Sequence, residues 1–242
     1  MRAPFFILTF ACTFIALGSF LSFGQQMTVT GRIELVKSGG TRPGDPSSAV
    51  VWLTPTQDST AYQSVSPSER QRLLQKHKLF SPHLLVVPVG TSVHFPNQDP
   101  FFHNVFSLFE GKRFDLGLYE GGTSRSVVFN RVGVSYIFCN IHPEMSAVVI
   151  ALKTPYYGIS DRKGQITIAG VPPGRYEMQV WHERVLPEAL KSHTRSVVLS
   201  ETSTSLGILR LTEQRDLSPT HRNKYGQDYD ITAPGGALYG RP

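Results

Sequence analysis

The stretch FCNIHPEM, residues 138–145, carries three side chains of the kind that hold soft, redox-active metals: the thiol of Cys139, the imidazole of His142 and the thioether of Met145. A thiol and an imidazole alone would suit zinc, but structural zinc sites do not use thioethers. Two imidazoles and a thiolate in one plane, with a distant methionine on the axis, form the donor set of a blue electron-transfer copper site. One imidazole is missing from the stretch, and FFHNVF supplies it at His103. The chemistry expected of His103, Cys139, His142 and Met145 is reversible one-electron transfer at a single type 1 copper ion. Cys139 gives the strong thiolate bond, the two histidines one ring nitrogen each, and Met145 tunes the potential. Glu144, beside Met145, is a hard oxygen donor that competes for the axial position.

Bringing these residues together requires strands whose ends meet at one pole. FSPHLLVVPVG, TSVHFPNQD, FFHNVFSL, TSRSVVFNRVG, VSYIFCN and MSAVVIALK are apolar or alternating runs separated by Gly, Pro, Asn and Asp. That is the pattern of a Greek-key sandwich, in which His103 opening one strand and Cys139 ending another can be neighbours. His142 and Met145 then come from the loop that leaves Cys139, stiffened by the fixed φ of Pro143. On these residues, VPVGTSVHFPNQDPFFHNVFS followed by GVSYIFCNIHPEMSAVVIA, the chain resembles small cupredoxins of the plastocyanin and amicyanin kind over about 80–152. The resemblance implies the short amicyanin-type ligand loop and a surface-reaching His142 as the electron's exit. It also implies that Asn104 ties the two ligand loops together by hydrogen bonds.

The flanking segments read differently. MTVTGRIEL and AVVWLTP are strands joined by a Gly/Pro-rich turn, and the pattern returns after Thr154-Pro155 in YYGISDRKGQITIAGVPPGRYEMQVWHE, SVVLS and SLGILRLT. Both parts resemble pieces of a prealbumin-like, carboxypeptidase-regulatory-type sandwich, and chains combining the two modules resemble bacterial proteins labelled methylamine-utilisation proteins. The expected fold class is all-β: a Greek-key cupredoxin sandwich (79–153) inserted into a prealbumin-like β-sandwich (27–55 and 154–212). The rival is that AVVWL starts the cupredoxin and the later part stands alone. Ser66-Pro67-Ser68-Glu69 reads as a capping box, so the connector 56–78 is expected to hold a short helix over 67–75. Residues 213–242, poor in apolar periodicity, are expected as a flexible tail in which His221 has no assigned role. Asp161 in DRKG reads as a turn residue, and His182-Glu183 lacks the HExxH context of a zinc protease.

The N-terminus has Arg2, an apolar run over 5–21 and the small residues Ser22 and Gly24, the pattern of a secretory signal peptide over 1–24. An uncleaved anchor is the other reading of the run. Cleavage would remove Cys12 and leave Cys139 as the single cysteine, which in an oxidising compartment needs a function such as metal binding. The expected location is periplasmic or secreted, with no membrane span after cleavage. A net charge of +6, spread along 242 residues, forms no nucleic-acid stripe. The partner expected is a redox protein such as a cytochrome or dehydrogenase, and no enzyme activity is expected because the remaining histidines show no H-x-H pairs. The alternative is a copper-carrying or ligand-binding, adhesive protein in which the prealbumin-like module does the work.

Overall fold

The structure, a computed structural model, describes residues 26–39, 42–56, 71–108, 111–214 and 221–229. The segment expected as a signal peptide lies outside them. The described residues form a nearly all-β fold, as expected, and the first two strands are β1 (Met27–Lys37) and β2 (Val50–Pro55). The central portion contributes β3 (Gln71–Arg72), β4 (Leu74–Lys76), β5 (Leu79–Ser81), β6 (Leu84–Pro88), β7 (Thr91–Pro96), β8 (His103–Ser107), β9 (Phe114–Tyr119), β10 (Ser124–Phe129), β11 (Gly133–Phe138) and β12 (Ser146–Leu152). The last portion adds β13 (Tyr157–Ile159), β14 (Gln165–Val171), β15 (Gly174–Trp181), the short helix α1 (Pro187–Lys191), β16 (Arg195–Leu199) and β17 (Ser205–Glu213).

Strands from the two ends of the chain share sheets. One has the order β14-β1-β17, with β17 parallel to β1, and another has the order β13-β2-β15-β16. AVVWL therefore pairs with β13 and β15. The central strands form a five-stranded sheet, β6-β12-β11-β8-β9, and a three-stranded sheet, β10-β7-β3.

β12 joins the two groups. MSAVVIAL has no polar alternation, the mark of a strand buried on both faces, and every residue of β12 after Ser146 is buried. Ala147, Val149 and Ala151 face a core shared with Phe95, Phe129, Ile137, Cys139 and Met145. Val148, Ile150 and Leu152 face the other core, with Ile33, Leu53, Ile168 and Met178. Each large aliphatic side chain buried there contributes about 1.5–3 kcal/mol. The ligand loop thus runs straight into the strand on which both cores close.

Two expectations are corrected. The helix expected over 67–75 begins outside the described residues, but 71–76 are strands, not helix. A capping box is a local preference, and tertiary burial overrides it here: Leu73 and Gln75 are fully buried, and β3 runs parallel to β7. The tail expected to be flexible is also partly ordered, because β17 extends to Glu213 and residues 221–229 are hydrogen-bonded onto the ligand loop. β9 was not expected as a strand. Its Asp115 and Gly117 are poor strand formers and its burial hardly alternates.

Candidate metal centre

His103 opens β8 and is wholly buried. The turn before it, 97–102, is fixed from inside. Asn97 donates its side-chain amide to the Phe101 carbonyl (2.8 Å) and accepts from the Asp99 N–H (3.0 Å). Gly121 passes so close that a Cβ there would run into the Asp99 carbonyl, which is why only glycine fits. Asp99, so held, accepts a hydrogen bond from His103 Nε2 at 2.8 Å. This contact places the proton on Nε2 and leaves the Nδ1 lone pair free toward the site. The same carboxylate accepts the N–H groups of His77 (2.6 Å) and Lys78 (3.0 Å). Those two residues form the β4–β5 loop, both with φ of 56°, a left-handed pair that costs energy for side chains other than Gly, Asn or Asp. Burial pushes the Asp99 carboxyl up, but the Lys78 N–H, the His103 imidazole and the His77 N–H together hold it below its usual range.

Cys139 follows β11, and its side chain belongs to the same core as Ile137 and Met145. The loop turns back with Met145 N–H donating to the His142 carbonyl (3.1 Å) and Cys139 N–H to the Met145 carbonyl (3.3 Å). Burial pushes the thiol pKa up, opposed by main-chain N–H groups of Asn104, Ile141 and His142 aimed at the sulfur. Those dipoles favour a thiolate. His142 is partly exposed and Met145 wholly buried.

The three donor atoms converge. Cys139 Sγ lies 3.7 Å from His103 Nδ1 and 3.5 Å from His142 Nδ1, and the two nitrogens are 3.0 Å apart. All ligand atoms of this group lie within 4.8 Å of one another. A triangle with those sides has a centre about 2 Å from each corner, close to ordinary metal–nitrogen and metal–sulfur distances of ~2.0–2.3 Å. The residues fit a metal held between two imidazole nitrogens and a thiolate. Burial, then the neighbouring His103 and Lys78, push the His142 pKa down to about 4. Burial likewise lowers that of His103, with Asp99 pulling the other way. Both rings are therefore neutral ligands at ordinary pH. Phe101 contacts both rings, at centroid distances of 5.3 and 5.6 Å.

All four residues singled out in the sequence lie on the two segments expected, and three of them meet directly. Met145 is buried in the core that holds Cys139, whereas Glu144 is exposed, so the thioether and not the carboxylate shares the interior with the thiol. Asn104 meets the expectation only in part: its main-chain N–H is aimed at the Cys139 sulfur, but its side chain donates to Asp115 on β9 (2.7 Å), and its buried Oδ1 has no partner among the described residues. Asp161 serves a turn, accepting the N–H groups of Lys163 and Gln165 at 2.8 Å. His182 is buried and Glu183 pairs with His83. Two participants were missed in the sequence. Asp99 stands four residues before His103, a spacing that could have signalled a carboxylate–histidine pair. The segment 221–229 carries no such signal.

Solved structures similar to part of this chain include cupredoxins. A purple cupredoxin from Nitrosopumilus maritimus matches over 34% of this chain and 99% of its own, at 26% identity and a TM-score of 0.31. Amicyanin from Paracoccus versutus matches over 38% of this chain and 94% of its own, at 20% identity and a TM-score of 0.32. A copper-containing nitrite reductase from Thermus scotoductus matches over 49% of this chain but 28% of the reductase, at 21% identity and a TM-score of 0.33. No family model and no curated protein matches the chain.

Proposed function

We propose that this chain is an exported type 1 copper protein that carries single electrons between redox partners, such as a cytochrome or a dehydrogenase. The observation that carries the proposal is the convergence of His103 Nδ1, His142 Nδ1 and Cys139 Sγ in one buried group, with Met145 in the same core. Bound there, copper would supply a one-electron couple. The chain's own part is to hold the donors still in either oxidation state. Asp99 locks the His103 tautomer, main-chain N–H groups favour the Cys139 thiolate, and the aromatic core excludes water. Partly exposed His142 offers the route by which an electron leaves, and the net charge of +6 favours an acidic partner surface.

Export to the periplasm or beyond is part of the proposal and rests on the N-terminal apolar run and on Cys139 being the single cysteine beyond it. No described helix is long and apolar enough to cross a membrane. The sheets built from 27–55 and 157–213 are proposed as a prealbumin-like sandwich serving as the platform on which the copper-binding sandwich sits. A copper(II) titration of the purified protein tests the function. One equivalent should develop an intense visible thiolate-to-copper band that ascorbate bleaches and ferricyanide restores, and Cys139→Ser should abolish it. A colourless protein that takes up zinc in stoichiometric amount would end the proposal.

A further inference from the structure

The ligand loop has a partner from far along the chain. Residues 221–229 form a small turn of their own, with the Gly226 N–H donating to the Asn223 carbonyl (2.9 Å) and the Asn223 side chain accepting from Tyr225 and Gln227. This turn meets the loop at three points. The His221 N–H donates to the Pro143 carbonyl (3.0 Å), the Lys224 N–H to Asn140 Oδ1 (2.8 Å), and the Tyr229 hydroxyl to the carbonyl of Cys139 itself (2.9 Å). The His221 ring lies against Phe138, with centroids 4.5 Å apart, and edge-on to Tyr229 at 5.6 Å.

Lys224 also reaches the other limb of the site. Its Nζ donates to Asp115 Oδ2 (2.8 Å), while Asp115 Oδ1 accepts the side-chain amide of Asn104, the neighbour of His103. A continuous path of hydrogen bonds thus runs Asn104–Asp115–Lys224–Asn140, from the strand that carries His103 to the loop that carries Cys139 and His142. The Asn104 side chain alone does not reach the loop, although its main-chain N–H is aimed at the Cys139 sulfur.

We propose that residues 221–229 are a strap that positions the metal-binding loop, with Lys224 and Tyr229 as its positioning residues. This inference rests on the copper reading for its consequence, since a loosened loop would hold the metal less firmly and in a different geometry. Outer partners of metal ligands typically change affinity by 10–100-fold when removed. Neither side chain touches the donor atoms: Tyr229 acts through the Cys139 carbonyl and the Lys224 ammonium through Asp115 and Asn104, while the Lys224 main-chain N–H holds Asn140.

The test uses the full chain and the double variant Tyr229→Phe/Lys224→Ala. Copper release to excess EDTA, followed by the visible band, should be about 10-fold faster in the double variant, and the band itself should shift. Lys224→Arg, which can still reach Asp115, should keep the parental rate. Identical band and identical release rate in parent and double variant would overturn the strap. Should the parent bind no copper, the functional reading fails and the strap is judged on the metal-free chain by amide hydrogen exchange over 140–145. Faster exchange in the double variant supports the strap there, and unchanged exchange overturns it.

Discussion

His103 is held from within a few residues of itself and by one buried carboxylate, whereas Cys139, His142 and Met145 sit on a loop whose anchors come from elsewhere. Around His103, the Asn97 side chain, the Asp99 carboxylate and the close approach of Gly121 leave little freedom. Around Cys139 the loop's own main-chain bonds, at 3.1 and 3.3 Å, and the N–H groups aimed at the sulfur are joined by contacts from 221–229 and from His83. One limb is seated locally. The other is a loop braced from distant parts of the chain, so perturbing the two limbs should give different signatures: loss of fold stability on the first, loss of metal retention with little loss of stability on the second.

The largest effect expected is at Asp99. Asp99→Ala leaves the His103 Nε2–H buried without an acceptor and strips the left-handed His77-Lys78 loop of the carboxylate that satisfies both its N–H groups. Each unsatisfied buried donor costs about 1–3 kcal/mol. The metal-free variant should therefore lose several-fold more stability in urea than the strap variant, and should also lose copper affinity because the His103 tautomer is no longer fixed. Equal stability losses for Asp99→Ala and the strap double variant would erase the distinction between the limbs.

Gly121→Ala probes the same seat without removing a polar group. The added methyl meets the Asp99 carbonyl, so either the 121–122 turn or the Asp99 turn must move, at about 1–3 kcal/mol for an overpacked site. The displacement is passed to His103 through Asp99, and the visible band of the copper-loaded protein should shift along with the fall in urea midpoint. A destabilised protein with an unshifted band would show that Asp99 follows His103 wherever the turn goes.

The four candidate ligands were legible in the sequence, and the groups that seat and restrain them were not. His103, Cys139, His142 and Met145 declare themselves by residue type and order, and the strand pattern around them follows from period-two alternation and, in β12, from an unbroken apolar run. β3 and β4 were obscured by a capping box, a local signal that carries nothing about the burial of Leu73 and Gln75. Gln75 is instead buried to donate to the Phe95 carbonyl and the Tyr119 hydroxyl, a role with no sequence signature. The strap was invisible because its anchors are main-chain groups, one amide and one phenol, and hydrogen bonds of that kind leave no periodicity. His221, set aside in the sequence, packs against Phe138 and Phe106 on the face of β11 and β8 away from the core that holds Cys139 and Met145.

The smallest effect concerns the exit of the loop. His83 Nδ1 contacts the carbonyl of Ser146, next to Met145, at 3.1 Å, and Nε2 contacts Glu183 Oε2 at 2.8 Å. Both partners accept, so the doubly protonated ring suits the site best, and the Glu183 hydrogen bond, against the opposing pull of burial, raises the His83 pKa above its ordinary 6.5. A folded-state value above the unfolded one means that the stabilisation is complete below about pH 6.5 and fades as the pH rises through the folded value. The His83 side chain is 50% exposed, and such a pair contributes at most about 1 kcal/mol. Neighbouring His182 slopes the other way: burial lowers its pKa, so its contribution is lost as the pH falls below 6.5. Comparing the parent with Glu183→Gln leaves His182 in both proteins and isolates the clasp. Thermal midpoints of the metal-free proteins should differ by a few degrees at about pH 6 and converge by about pH 9. A gap that widens with pH would mean that Glu183 stabilises the loop exit by some means other than a charged His83.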